Sequence, residues 1–290
     1  MTTRFKIYLL LTRLDLQSPY ITRRFILAIC FVMCMTACGG AKDLPLHTDK
    51  VEWGYAAENG PDVWGQLNPE YSLCAEGMHQ SPIDLVNPMP TKLPTIFYEY
   101  YPATGVDIHH NGHTIEVAYP EDSRIHIDGT HYQLLQFHFH APSEHTVAGK
   151  PFDMEMHLVH KSEEGNLAVV GLLIENGRHH PAFDPVWAYL PSTPLETQRI
   201  ENVIIDLALM LSPNKQITDE AVKTFPSTYR YNGSLTTPPC SEGVKWIVLT
   251  TPVEMSESQI AAFKAIIHGN NRPVQPLNGR ELLLDAPGVP

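Results

Sequence analysis

Positive charge is scarce in this sequence. Its 290 residues hold 20 Lys and Arg against 32 Asp and Glu, a formal net charge of -12. A nucleic-acid partner, which needs a basic face, is therefore disfavoured. Long apolar runs are missing as well. The uncharged stretch Phe25 to Met35 has 11 residues, too few to span a bilayer comfortably. From Val51 onward there is no internal repeat, low-complexity tract or linker signal, so one domain over residues 51–285 is the simplest organisation. An H-E-x-x-H frame is also lacking, which removes the common zinc-protease design. Wholesale disorder is excluded, because 43% of residues are hydrophobic and only 18% charged. The 25 prolines and 18 glycines favour turns and short strands over long helices.

What is present starts with a leader. Arg23 and Arg24 precede the apolar run, and small residues follow it in Thr36-Ala37-Cys38-Gly39-Gly40. This is the layout of a signal-peptide core and its exit. Residues 1–38 therefore read as a signal peptide or lipoprotein leader and residues 39–50 as a flexible tether. The stretch before Arg23 is long for such a leader, which suggests a translation start downstream of Met1. Met35-Thr-Ala-Cys38 resembles a lipobox, making Cys38 a lipid-anchor candidate. The expected location is outside the cytoplasm, in the periplasm, either free or held to a membrane through Cys38. The first 38 residues carry five basic and one acidic side chain, leaving 15 basic against 31 acidic in the remainder. Cys30, Cys34 and Cys38 belong to this leader, so only Cys74 and Cys240 remain. Two cysteines in an exported chain suggest one disulfide; two buried free thiols are the alternative.

Period-two alternation marks His113-Thr-Ile-Glu-Val-Ala, Arg124-Ile-His-Ile-Asp, Gln136-Phe-His-Phe-His and Glu155-Met-His-Leu-Val-His as half-buried strands. Leu167 to Ile174 and Lys245 to Thr250 are continuous apolar runs with the look of central strands. Two helices are expected. One runs from Glu196 to Leu211 with Ile200, Val203, Ile204 and Leu207 at helical spacing. The other opens at a Ser256/Gln259 capping box, with Ile260, Phe263 and Ile267 inward and Gly269 past its end. The fold class is mainly β with peripheral helices (α+β).

Three of the 15 histidines differ in kind. Alternation puts Gln136, His138 and His140 on one strand face and Phe137 and Phe139 on the other. It likewise groups Glu155, His157 and Val159. If these strands are neighbours, His138, His140 and His157 converge, and three imidazoles with a fourth position left to water make a catalytic zinc site. Gln136 and Glu155 each stand two residues before a histidine on the same face, where an acceptor for its second ring nitrogen is needed. The H-x-H pair alone is equally compatible with two exposed strand histidines.

Gln136-Phe-His-Phe-His140, Ser143-Glu-His-Thr146, Glu155-Met-His-Leu-Val-His160 and Ser234-Leu-Thr-Thr-Pro-Pro239 closely resemble the alpha carbonic anhydrases, in order and at compatible spacing. Trp53-Gly-Tyr55, Gln80-Ser-Pro-Ile-Asp84, Asn111-Gly-His113 and Asn270-Asn-Arg-Pro-Val-Gln-Pro276 extend the likeness over nearly all of residues 51–280. The resemblance implies a single domain around a large, mostly antiparallel, twisted central sheet, with Zn2+ at the floor of a conical cleft. It implies reversible hydration of carbon dioxide to bicarbonate and a proton, by hydroxide formed on zinc and with a histidine proton shuttle. Zinc would be held by His138, His140 and His157. Thr236 and Glu144 would orient the nucleophile, and His113 would shuttle protons. Val159, Val169, Leu235 and Trp246 would wall the carbon dioxide pocket, with Thr237 positioning bicarbonate. Asn111 and Tyr55 match residues that order cleft water, and Glu116 stands where the family often has a neutral polar residue. Cys74 and Cys240 match a bridged pair, which would brace the loop carrying Thr236. Two other readings compete: a catalytically dead binding module on the same fold, and a zinc hydrolase of esters. The oligomeric state, monomer or homodimer, is left open.

Overall fold

The alternating stretches fold as strands of a single extended sheet in the computed structural model, which describes residues 53–120, 122–212 and 227–285. The expected leader and tether lie outside the described residues. In chain order the strands are β1 (Met89–Pro90), β2 (Phe97–Glu99), β3 (Val106–His110), β4 (Ile115–Ala118), β5 (Arg124–Ile127), β6 (Thr130–His140), β7 (Thr146–Val147) and β8 (Lys150–Pro151). They continue with β9 (Met154–Lys161), β10 (Leu167–Asn176), β11 (Thr197–Ile200), β12 (Thr228–Ser234), β13 (Glu242–Leu249), β14 (Val253–Met255) and β15 (Leu283–Asp285). Thirteen of them make one sheet along the path β1-β15-β12-β13-β10-β9-β6-β4-β3-β11, with β14 on β10 and β5 joining β2 to β6. The pairings β1–β15, β10–β13 and β10–β14 are parallel and the rest antiparallel, so the sheet is mixed but mostly antiparallel. The two apolar runs are β10 and β13, neighbours in the sheet interior as their composition requires.

Register places the functional side chains. Directly paired residues share a face, and the row Thr197–His109–Glu116–His138–His157–Gly171 crosses β11, β3, β4, β6, β9 and β10. A second row on that face runs Gln136–Val159–Val169–Trp246–Tyr231. The intervening row, Ile108–Val117–Phe137–Leu158–Val170–Ile247, points to the opposite face, and none of its members is more than 2% exposed. That face carries the main core, under which Phe183, Val186, Ile260 and Phe263 are also buried. A register shift between Leu134 and Gln136 marks a bulge in β6, the device by which a strand re-aims its following side chains.

The helix at the capping box forms as expected, over Glu257–Lys264, with Ser256 and Gln259 bonding reciprocally. It ends sooner than Gly269, at an Ala265 cap. The other expected helix is corrected. Thr197–Ile200 is strand β11, paired antiparallel with β3, and only Leu207–Met210 is helical, capped by the Asp206 carboxylate. The exposed edge of β3 offers unpaired backbone groups, and pairing with it outweighs a weak helical period. Ile204, inward on a helical reading, is 61% exposed, whereas Ile205 is fully buried. Among the described residues no helix is long and apolar enough to cross a membrane.

Candidate metal centre and active site

Three imidazoles meet on one face of β6 and β9. His138 Nδ1 contacts Gln136 Oε1 at 2.9 Å, His140 Nδ1 contacts the Asn270 carbonyl at 2.7 Å, and His157 Nε2 contacts Glu155 Oε1 at 2.9 Å. One nitrogen of each ring is thereby held, and the remaining three converge within 4.8 Å of one another. His140 Nε2 is buried without a hydrogen-bond partner, a costly arrangement unless something else takes its lone pair. Burial lowers the pKa of all three rings, with His138 driven well down and His140 to about 4, so they stay neutral at pH 7. Neutral imidazoles are the form a metal requires. Two of the three acceptors, Gln136 and Glu155, are the ones expected from strand alternation. The third, the Asn270 backbone, comes from a segment 130 residues away in sequence.

Glu155 is the best-bonded carboxylate of the site. Oε1 takes both His157 Nε2 and His145 Nδ1, at 2.9 and 2.7 Å, while Oε2 accepts the backbone N–H groups of Glu144 and His145 at 3.0 and 2.8 Å. Burial alone would raise its pKa, but the imidazoles of His145 and His157 outweigh that and hold it well below the usual range. Gly171 makes room for this carboxylate, since a Cβ there would stand 3.1 Å from Oε1. The chain of contacts continues from His145 Nε2 to Tyr231 Oη at 2.7 Å and from Tyr231 to Ser81 Oγ at 2.9 Å. His145, Tyr231 and Ser81 were not identified from sequence. Their partners are up to 150 residues away, and no local spacing announces them.

Glu144 lies on the other side. It is 1% exposed; Oε1 accepts the Arg272 N–H at 2.9 Å and approaches His140 Nδ1 at 3.5 Å. Its Oε2 is 3.9 Å from His157 Nδ1 and lacks a full hydrogen bond. Burial pushes this carboxyl up to about 7, against the pull of His157, the Arg272 N–H and the nearby Thr236 side chain. Arg272, itself 1% exposed, spends its guanidinium on Gln80 Oε1 and the carbonyls of Ser81 and Cys74, each at 2.8 Å. Cys74 and Cys240 are bonded in a disulfide. Cys240 N–H donates to the Thr237 carbonyl at 2.9 Å and Gln80 Nε2 to the Cys240 carbonyl at 3.0 Å. The loop of Thr236 and Thr237 is thus tied into the same buried network as Glu144.

An apolar wall adjoins the imidazoles. Val169 and Trp246, each 2% exposed, belong to one cluster with the half-buried Val159 and Leu235 packed against it. Trp246 Nε1 donates to the Ser234 carbonyl at 2.9 Å, fixing the indole. His113 lies in the turn between β3 and β4, half-buried, its ring stacked on Trp53 with centroids 3.6 Å apart. Asn111 Oδ1 accepts the N–H groups of His113 and Thr114, so it shapes this turn directly. Tyr55 packs edge-on to Trp53 and Trp64. Burial raises the pKa of Glu116, and the imidazole of His109 works against that.

The mixed, mainly β fold carries three neutral imidazoles on one sheet face, each ring held from behind by a hydrogen-bond acceptor, and together they could hold a metal ion. A family profile described as eukaryotic-type carbonic anhydrase matches residues 59–285. The chain is 42% identical over 243 residues to a carbonic anhydrase of Klebsiella pneumoniae, covering 83% of this chain and 94% of that one. Identity to a carbonic anhydrase of Nostoc sp. is 38% over 265 residues, covering 90% and 93%. Its structure is similar to an alpha-carbonic anhydrase from Thermovibrio ammonificans, solved with the inhibitor sulfanilamide, at TM-score 0.72 and 41% identity, covering 80% of this chain and 98% of that one. The chain belongs to the eukaryotic-type, or alpha, carbonic anhydrase family, and it is an enzyme of carbon dioxide hydration. The family is generally zinc-dependent, and the donor set fits that ion. It offers three converging neutral nitrogens, one of them orphaned, each on a ring held from behind.

Proposed function

We propose that this enzyme hydrates carbon dioxide at a zinc ion held by His138 Nε2, His140 Nε2 and His157 Nδ1, with the proton leaving through His113. The observation that carries the reading is the convergence of those three nitrogens, one buried and partnerless. When bound, zinc supplies Lewis-acid polarisation of water, bringing its pKa near 7. The protein's own groups do the remaining work. Gln136, Asn270 and Glu155 aim the imidazoles. Glu144, with its backbone anchor on Arg272, accepts a hydrogen bond from the Thr236 hydroxyl during turnover, which leaves the threonine oxygen to accept a hydrogen bond from the attacking nucleophile and so aim its lone pair. Val159, Val169, Leu235 and Trp246 exclude water from the space carbon dioxide enters, because an apolar substrate gains nothing from polar contacts there. Thr237 positions bicarbonate. His113 passes the released proton to buffer, a task suited to a side chain whose unperturbed pKa is near neutral.

We also infer export from the Phe25–Met35 run and its flanks, with residues 1–38 as leader, 39–50 as tether and 51–285 as the enzyme domain. Lipid attachment at Cys38 would hold the enzyme to a periplasmic membrane face. Stopped-flow hydration by the Thr236→Ala variant tests the mechanism. With zinc content unchanged, kcat/KM should fall about 100-fold through misplacement of the nucleophile. Full activity in that variant would remove Thr236 from the mechanism.

A further inference from the structure

We propose that His109 is a second proton-transfer residue of the site, held in position by Thr197. The proposal rests on the hydration chemistry above and adds an exit that does not pass through His113. The observation behind it is the row Thr197–His109–Glu116–His138, consecutive register partners on four neighbouring strands. All four therefore share the sheet face that carries the imidazoles, with His109 two strands from His138. At the usual strand spacing that is about 10 Å, a gap that cleft water bridges in two or three steps.

His109 is built for the task in ways that differ from His113. It projects from β3 rather than from a turn, and its Nδ1 contacts Thr197 Oγ1 at 2.8 Å. No hydrogen bond to Nε2 is seen among the described residues, and the residue is half-buried. Glu116 is its register partner on β4. The other charged groups around it are few. Asp107 and Arg199, on the same face, pair with each other at 3.0 Å. Glu196 lies beside Thr197, and His110 turns to the opposite face, where it is buried. The step balances simply. Each hydration releases one proton; cleft water delivers it to Nε2, and the imidazolium returns it to buffer, restoring the neutral ring.

The test is stopped-flow hydration of wild type, His109→Gln, His113→Ala and the double variant, in dilute bulky buffer, with and without added imidazole. Glutamine keeps a polar partner for Thr197, and zinc content with thermal unfolding verifies the folded state. His109→Gln should lower kcat about threefold while leaving kcat/KM unchanged, since the transfer follows the chemical step. The double variant should fall below His113→Ala by a similar factor, and imidazole should restore both. An unchanged kcat on adding His109→Gln to His113→Ala would overturn the inference, as would a parallel loss in kcat/KM. A wild-type protein with no hydration activity would instead defeat the proposed function itself.

Discussion

Glu155→Gln perturbs one buried group and leaves His138, His140 and His157 in place. The carboxylate receives four donors on its two oxygens: two imidazole nitrogens and two backbone N–H groups. An amide keeps one oxygen and turns the other position into a donor, so two of the four lose their acceptor whichever way it is oriented. Hydrogen bonds to a charged group contribute about 1.5–3 kcal/mol each, so the metal-free protein should lose about 3–6 kcal/mol of stability. For a domain of this size that lowers Tm by about 10 °C. With the amide nitrogen at the Oε1 position His157 is one of the two that lose their acceptor, and loss of such a partner typically weakens metal binding about 10- to 100-fold. Competition with a zinc chelator of known affinity measures the second effect, and thermal unfolding of the metal-free protein the first. A zinc Kd and a Tm both unchanged from wild type would refute the claim that Glu155 organises the centre.

Other perturbations reach the site from outside. Gly171→Ala places a methyl 3.1 Å from Glu155 Oε1, so zinc affinity should drop about threefold, a milder form of the same loss; unchanged chelator competition would show that the carboxylate moves freely. Reducing Cys74–Cys240 opens a link between residues 166 apart, worth at most about 5 kcal/mol by loop entropy. Hydration by the verified dithiol form should fall as the Thr236 loop loosens; full turnover there would separate the bridge from function. His160 is buried with its Nε2 on Tyr100 Oη at 3.0 Å, and burial pushes its pKa from 6.5 down to about 3. The unfolded chain thus binds a proton that the native protein refuses, and stability is lost as pH falls from about 6.5 toward 3, by up to about 1.4 kcal/mol per pH unit. Urea titrations of wild type and His160→Gln should converge in acid; parallel profiles would rule this out.

Much of the site was legible because strand alternation is local. His138, His140, Gln136, His157 and Glu155 follow from a period of two, and the motifs around Glu144 and Thr236 carried the family resemblance. Long-range partners were not legible. His145, Tyr231, Asn270 and Arg272 act through contacts with residues 10 to 198 positions away, and nothing in their own neighbourhoods signals those contacts. The segment from Glu196 was misread because its apolar spacing fits a helix, whereas the open edge of β3 decides its conformation. Register, invisible in the sequence, is also what aligns His109 and Glu116 with His138.

The central claim is that a metal on His138, His140 and His157 makes this chain a catalyst of carbon dioxide hydration. The direct test is stopped-flow hydration by the purified enzyme domain, before zinc removal, after it and after zinc is restored. Activity should vanish with the metal and return with it while the fold persists. A folded, zinc-loaded protein that does not hydrate carbon dioxide, or a metal-free one that still does, would contradict the account.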